Sequence, residues 1–326
     1  MLELSVLDLA VIGPDGSASQ ALRDVVAVAR TAEEYGYHRF WVAEHHAAPN
    51  TAGSSPAVLL AYIAGRTRTL RIGSGGVMLP NHSPLVVAEQ FTTLQALHDG
   101  RVDLGVGRSA GGNTASSVLH RALHRHPQAM AEFPHLIDEV IGFLHHSWPA
   151  GHRFETLEMS PRIPTPPGLF VLGASENGAR IAAERGLPFV YGHHLGRGKA
   201  RPAAIDVYRR EFRGEHPYLI ASANILCAET DELAARQAMA IALAEIQRHD
   251  PTATEPRQRY LAAQALADSH LIHGDPTTTL TAIHHLADSL TADEIMLVPY
   301  NRTGPARATT LRLLAQSRLA TTTHPT

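Results

Sequence analysis

The segment LRIGSGGVMLPNHSPLVVAEQFTTLQALHDGRVDLGVGR (70–108) reads as one strand–helix–strand unit. Leu70–Met78 is an apolar, β-branched run and predicts a strand. Pro84–His98 predicts a helix, closed by Asp99-Gly100. Val102–Gly107 predicts the next strand. A helix between two strands makes them parallel, so the unit is βαβ.

The same alternation extends outward in both directions. Toward the N-terminus, Leu2–Leu9 and Arg39–Ala43 predict strands, with a helix over Ala18–Tyr35 between them. In that helix Leu22, Val25, Val26, Ala29 and Ala32 recur at helical spacing, and Gly36 stops it. Pro56–Arg66 is a helix with proline in its first turn. Toward the C-terminus, strands are predicted at Leu169–Leu172, Pro188–Tyr191, Tyr218–Leu226 and Glu294–Val298. Helices are predicted at Gln128–His146, Asn177–Arg185, Arg201–Phe212, Asp231–Gln247, from Asp275-Pro276 to about Leu290, and at Pro305–Leu319. Eight such units predict an α/β fold, a (β/α)8 TIM barrel filling residues 1–320 as a single domain. Insertions are expected after strand four (Ser109–Pro127) and strand seven (His249–His273), the second as a lid. Thr321–Thr326 is expected to be a disordered tail. An open, doubly wound sheet is the competing arrangement.

Composition narrows the function. The single cysteine, Cys227, excludes an intrachain disulfide and a Cys-rich zinc site, and suits a reducing cytoplasm. A net charge of -3 speaks against an electrostatic nucleic-acid binder. The opening MLELSVLDLAVIG lacks the basic start of a signal peptide. No apolar run reaches the ~18 residues of a membrane helix. Histidine is abundant, at 21 residues.

A barrel places its active site at the C-terminal ends of the strands. Those ends carry Glu44-His45-His46, Gly75-Gly76, Arg108, Gly173-Ala174-Ser175 with Gly178, and Gly192-His193-His194. GASENG (173–178) before a helix can cradle a phosphate, or can be a plain βα turn. Arg108, one strand away, favours the phosphate. Glu44-His45-His46 admits a metal site, a general base or packing. Adjacent strand residues face apart, so His45 and His46 are poorly placed to share an ion. His45 as base or hydrogen-bond donor, with Glu44 orienting a neighbour, is the better functional reading.

The chain resembles the bacterial luciferase-like, flavin-dependent monooxygenase family from Leu4 to about Leu319. The resemblance is carried by AEEYGYHRFWVAEHH (32–46), by residues 70–108, by VLGASENGARIAAERGLPFV (171–190) and by the late GDPTTTLTAI and EIMLV. It implies a TIM barrel with FMN at its mouth, used in reduced form as co-substrate, with a flavin C4a-hydroperoxide acting on a small organic substrate. It implies a separate flavin reductase as supplier and a homodimer, which the apolar helices at 56–66 and 84–98 also suggest. Residue by residue it implies that His45 handles the proton. Arg108, Ala174, Ser175 and Gly178 would surround the FMN phosphate, Glu44 would border the cofactor site, and Gly75-Gly76 would form a non-proline cis peptide beneath the ring. The luciferase catalytic subunit has a cysteine where Gly107 stands, a glutamate where Ala174 stands and an aromatic where Ala47 stands. Its aldehyde pocket is therefore not matched. Hydride transfer with the deazaflavin F420, and a non-catalytic flavin-binding subunit, are the alternatives.

Overall fold

Alternate strand residues divide the apolar side chains between two cores. On β2, Phe40 and Val42 pack outward with the helices, while Trp41 packs inward with Leu7, Phe170, Val190, Ile220 and Met296. The computed structural model describes residues 2–14, 16–108, 117–196 and 203–323. Its strands are β1 (Glu3–Asp8), β2 (Arg39–Val42), β3 (Arg71–Ser74), β4 (Val77–Met78), β5 (Val102–Gly107), β6 (Gly168–Gly173), β7 (Phe189–Tyr191), β8 (Leu219–Cys227), β9 (Ile272–Gly274) and β10 (Glu294–Pro299). All pair in parallel, in the order β1-β2-β3-β5-β6-β7-β8. The last strand, β10, pairs with both β8 and β1 and closes the circle, giving the (β/α)8 barrel.

The helices are α1 (Ala18–Glu34), α2 (Pro56–Ala64), α3 (Pro84–Leu97), α4 (Ser117–Ala122), α5 (Phe133–His145), α6 (Glu176–Glu184), α7 (Ala203–Glu211), α8 (Asp231–His249), α9 (Glu255–Asp268), α10 (Pro276–Leu290) and α11 (Gly304–Thr323). Local chemistry sets their starts. Ser17 accepts from Gln20 N at 3.1 Å, and Asp275 accepts from Thr278 N at 2.8 Å. Among the described residues no helix is long and apolar enough to cross a membrane.

A charged layer sits at the N-terminal floor of the barrel. Arg39 bridges Asp103 (2.8 Å) and Glu294 (2.9 Å). Arg71 reaches the other Asp103 oxygen at 2.5 Å, Trp41 Nε1 donates to Asp103 at 3.1 Å, and Tyr218 donates to Glu294 at 2.7 Å. These links join β2, β3, β5 and β10 from inside. They give the buried carboxylates the partners that burial demands.

Three features differ from the sequence reading. The predicted strand Leu70–Met78 is broken at Gly75-Gly76: β3 pairs with β2 and β5, and β4 pairs with β5. The helix predicted over Gln128–His146 starts at Phe133, followed at once by Pro134. Helix α11 runs to Thr323, into the segment expected to be disordered; 324–326 lie outside the described residues, as do 109–116 of the first expected insertion. Between α8 and α10 the chain forms α9 and then β9, which extends the sheet beyond β8.

Candidate active site

Glu44, His45 and His46 follow β2, Gly75-Gly76 separates β3 from β4, Arg108 follows β5, and Ala174–Gly178 follows β6. All therefore stand at the C-terminal mouth of one barrel. A cavity of about 480 Å³ opens there, lined by His45, Ala47, Pro49 and Thr51 among others.

Glu44 is 2% exposed and fully engaged. One oxygen, Oε1, receives Nε2 of His46 and Nε2 of His82, each at 2.7 Å; Oε2 accepts from the Met78 amide at 3.1 Å. A carboxylate only accepts, so both Nε2 atoms carry hydrogen. Burial alone would raise the Glu44 pKa, but the bonds from His82, His46 and Met78 outweigh it and hold the carboxyl below its usual range. Glu44 thus orients His46 and His82 rather than the adjacent His45. Glu44 and His46, two apart past the end of β2, meet in this bond, and His45 between them takes no part in it. Among the described residues this trio is the group whose ligand atoms lie within 4.8 Å of one another, as a metal would need. The two 2.7 Å contacts are hydrogen bonds, shorter than the ~3.3 Å between two ligands of a tetrahedral zinc with ~2.0 Å bonds.

His45 is held by its backbone, whose N–H donates to Gly53 O at 2.7 Å. Its ring Nδ1 is buried with no hydrogen-bond partner. Burial lowers its pKa, with Glu44 opposing and His46 adding to the shift, so the ring is neutral at neutral pH.

The peptide between Gly75 and Gly76 is cis, as the resemblance implied. Packing explains glycine at both positions. A Cβ on Gly75 would lie 2.5 Å from Leu7 Cδ1, and one on Gly76 would lie 2.8 Å from Gly105 O.

At the other side of the mouth, Gly107 is in register with Leu172, so Arg108 emerges beside the 173–175 turn. Arg108 is exposed, and among the described residues it makes no hydrogen bond or ion pair. Ser175 caps α6, and its Oγ accepts from Gly178 N at 3.3 Å. The Gly178 amide, expected to face an anion, is therefore occupied. The Glu176 and Asn177 amides and the Ser175 hydroxyl proton remain the donors of this turn.

Strand β7 contributes a pair of histidines that the sequence placed at the mouth without a role. His194 Nδ1 lies 2.6 Å from Ser222 Oγ, and Asn224 Nδ2 donates to His194 O at 2.9 Å. Burial, with the His193 and His45 charges, lowers the His194 pKa to about 4. His193 packs against His270, their rings 5.3 Å apart. His82, Ser222 and Asn224 were not foreseen. A serine and an asparagine two apart in an otherwise apolar strand, ASANIL, were the available signal.

Comparison with known proteins places this fold and mouth in a family. The pattern of the luciferase-like monooxygenases matches residues 2–293, and the chain belongs to that family. A luciferase-like monooxygenase of Escherichia coli strain K12 is 35% identical over 314 residues, covering 91% of each chain. The crystal structure of apo-MsnO8 superposes with a TM-score of 0.82 at 31% identity, covering 97% of each chain. The oxygenating constituent of 3,6-diketocamphane monooxygenase from Pseudomonas putida, solved with FMN, shares the fold: TM-score 0.72, 17% identity, 97% of each chain.

Proposed function

We propose that this chain is the oxygenating component of a two-component monooxygenase. In this reading it takes reduced FMN from a separate flavin reductase and uses O2 to oxidise a small organic substrate. The observation that carries the reading is the composition of the mouth. A helix-opening turn with free amides and a serine hydroxyl follows β6, with Arg108 beside it after β5, and the glycine pair Gly75-Gly76 lies between β3 and β4. A flat ring with a phosphate tail fits that pairing. Membership of the family, and the FMN bound in the diketocamphane enzyme, support the same cofactor.

Reduced FMN, when bound, supplies the electrons that activate O2. The chain's own residues bind, orient and handle protons. Arg108, the Ser175 hydroxyl and the α6 first-turn amides hold the phosphate, with the Ala174 backbone and the open Gly178 beside them. Gly75 and Gly76, between β3 and β4, would border the ring. His45, neutral and with Nδ1 unpartnered, accepts or returns the proton at the reacting centre. Glu44 is a positioning residue, acting through His46 and His82. The assembly is a homodimer in this reading. Leu22, Val58 and Tyr62 are exposed around an apolar cavity of about 360 Å³ between α1 and α2, and a second copy would cover them.

The test is a cofactor and product experiment. Thermal unfolding with FMN, riboflavin and F420 should show the largest shift with FMN. Reduced FMN, O2 and a panel of ketones and thioethers should then give an oxygenated product. A shift with F420 alone would replace this reading with hydride transfer. Flavin binding without turnover of any substrate would favour a non-catalytic subunit.

A further inference from the structure

Ser222 determines which nitrogen of His194 bears the proton. A hydroxyl has one hydrogen, and Ser222 Oγ donates it to Tyr191 O, a carbonyl that can only accept, at 3.1 Å. Toward His194 the same oxygen must therefore accept, so Nδ1, 2.6 Å away, carries the ring hydrogen. Burial keeps the imidazole neutral, so Nε2 is a bare lone pair. Among the described residues nothing donates to Nε2.

The ring is held from one strand. Ser222 and Asn224 are two apart on β8 and face the same way, one fixing the ring and the other the His194 carbonyl. Asn224 also donates to Ser269 O at 3.0 Å, which locks the turn to the end of α9. His194 cannot rotate to offer a donor without breaking its bond to Ser222. It follows β7 at the same C-terminal mouth that His45 enters after β2.

We propose that His194 is a flavin-binding residue that favours the reduced cofactor, because it offers the ring a fixed hydrogen-bond acceptor and no donor. The proposal rests on the FMN reading of the mouth. Oxidised flavin presents N5 only as an acceptor, which a bare Nε2 beside it would repel. Reduction places a hydrogen on N5 and makes it a donor that Nε2 can accept. One bond gained and one lone-pair clash relieved would separate the two redox forms by about five- to tenfold in affinity.

The experiment measures Kd for oxidised and, anaerobically, reduced FMN, together with the midpoint potential of the bound flavin. Wild type is compared with His194→Asn and Ser222→Ala. Asparagine keeps an N–H toward Ser222 but removes the Nε2 acceptor. Wild type should prefer reduced FMN and hold it at a more positive potential than free flavin. His194→Asn should lose most of that preference. Ser222→Ala, which frees the ring to adopt the other tautomer, should lose part of it. An imidazole 15N spectrum of the apo protein should show a bare Nε2 whose signal disappears in His194→Asn. A protonated Nε2 there, or equal loss of affinity for both redox forms in His194→Asn, would overturn the proposal. So would an unchanged preference. Failure of wild type to bind either form of FMN would instead remove the FMN reading itself, and this proposal with it.

Discussion

His82 Nε2 donates to Glu44 Oε1 at 2.7 Å, across 38 residues of sequence. The bond ties the turn after β4 to the end of β2, so one buried carboxylate joins two neighbouring segments of the mouth. Glu44→Gln keeps the shape but loses the charge. It should cost about 1.5–3 kcal/mol, the range for hydrogen bonds to a charged group. The folded carboxyl sits below its usual range, so its contribution is present above that range and is lost as pH falls through the folded value. Urea unfolding at pH 7 and pH 4 should therefore show a larger difference between wild type and Glu44→Gln at pH 7.

Arg108→Ala should weaken FMN binding by roughly 1.5–3 kcal/mol, as the loss of a charge-assisted bond would. Riboflavin, which lacks the phosphate, should bind wild type and variant alike. Fluorescence titration with both ligands checks this. Unchanged FMN affinity would remove Arg108 from the phosphate site.

His194 makes folding stability depend on pH between about 6.5 and 4. In that window the unfolded chain takes up a proton that the folded ring refuses, so stability falls as pH falls. The full difference is about 3 kcal/mol at one pKa unit per 1.36 kcal/mol. His194→Asn should flatten this part of the stability profile, measured by chemical denaturation from pH 7 to pH 4.

Asp103→Ala should be among the most damaging single changes. It strands Arg39, half of whose ion pairing is with Asp103, in a buried site, and releases Arg71 and Trp41 Nε1. Leaving a buried charge without its partner costs about 3–5 kcal/mol. The midpoint in urea should drop sharply, while Arg71→Ala, whose side chain is 32% exposed, should cost less.

Tyr62→Glu and Val58→Glu should convert a dimer to a monomer if the α1–α2 face is the contact between copies. Wild type should show twice the chain mass by light scattering at micromolar concentration. A monomeric wild type would contradict the homodimer directly.

The barrel was legible because its signals are local. Apolar runs such as Phe40-Trp41-Val42 and helix stops such as Gly36 are each read from a few neighbouring residues. The cis peptide at Gly75-Gly76 was expected from the family resemblance, and the GSGG run marked the place. The His82 partner of Glu44 was not legible, because His82 caps a short 3₁₀ turn, Leu79–Asn81, whose direction no periodicity predicts. The floor network was hidden for a similar reason. Arg39, Arg71, Asp103 and Glu294 each stand at or near the start of a strand, where a charge reads as an exposed strand end. Only closure of the barrel brings them together.

That floor has a consequence for how the protein can change. The ion pairs that staple β2, β3, β5 and β10 lie at the opposite end of the strands from His45, Arg108 and Ser175. Substitutions at distant sites without shared partners add nearly independently. Mutational libraries confined to loops at the mouth can therefore explore new substrates without drawing on the contacts that close the barrel. The scaffold is divided along its axis into an end that tolerates innovation and an end that does not.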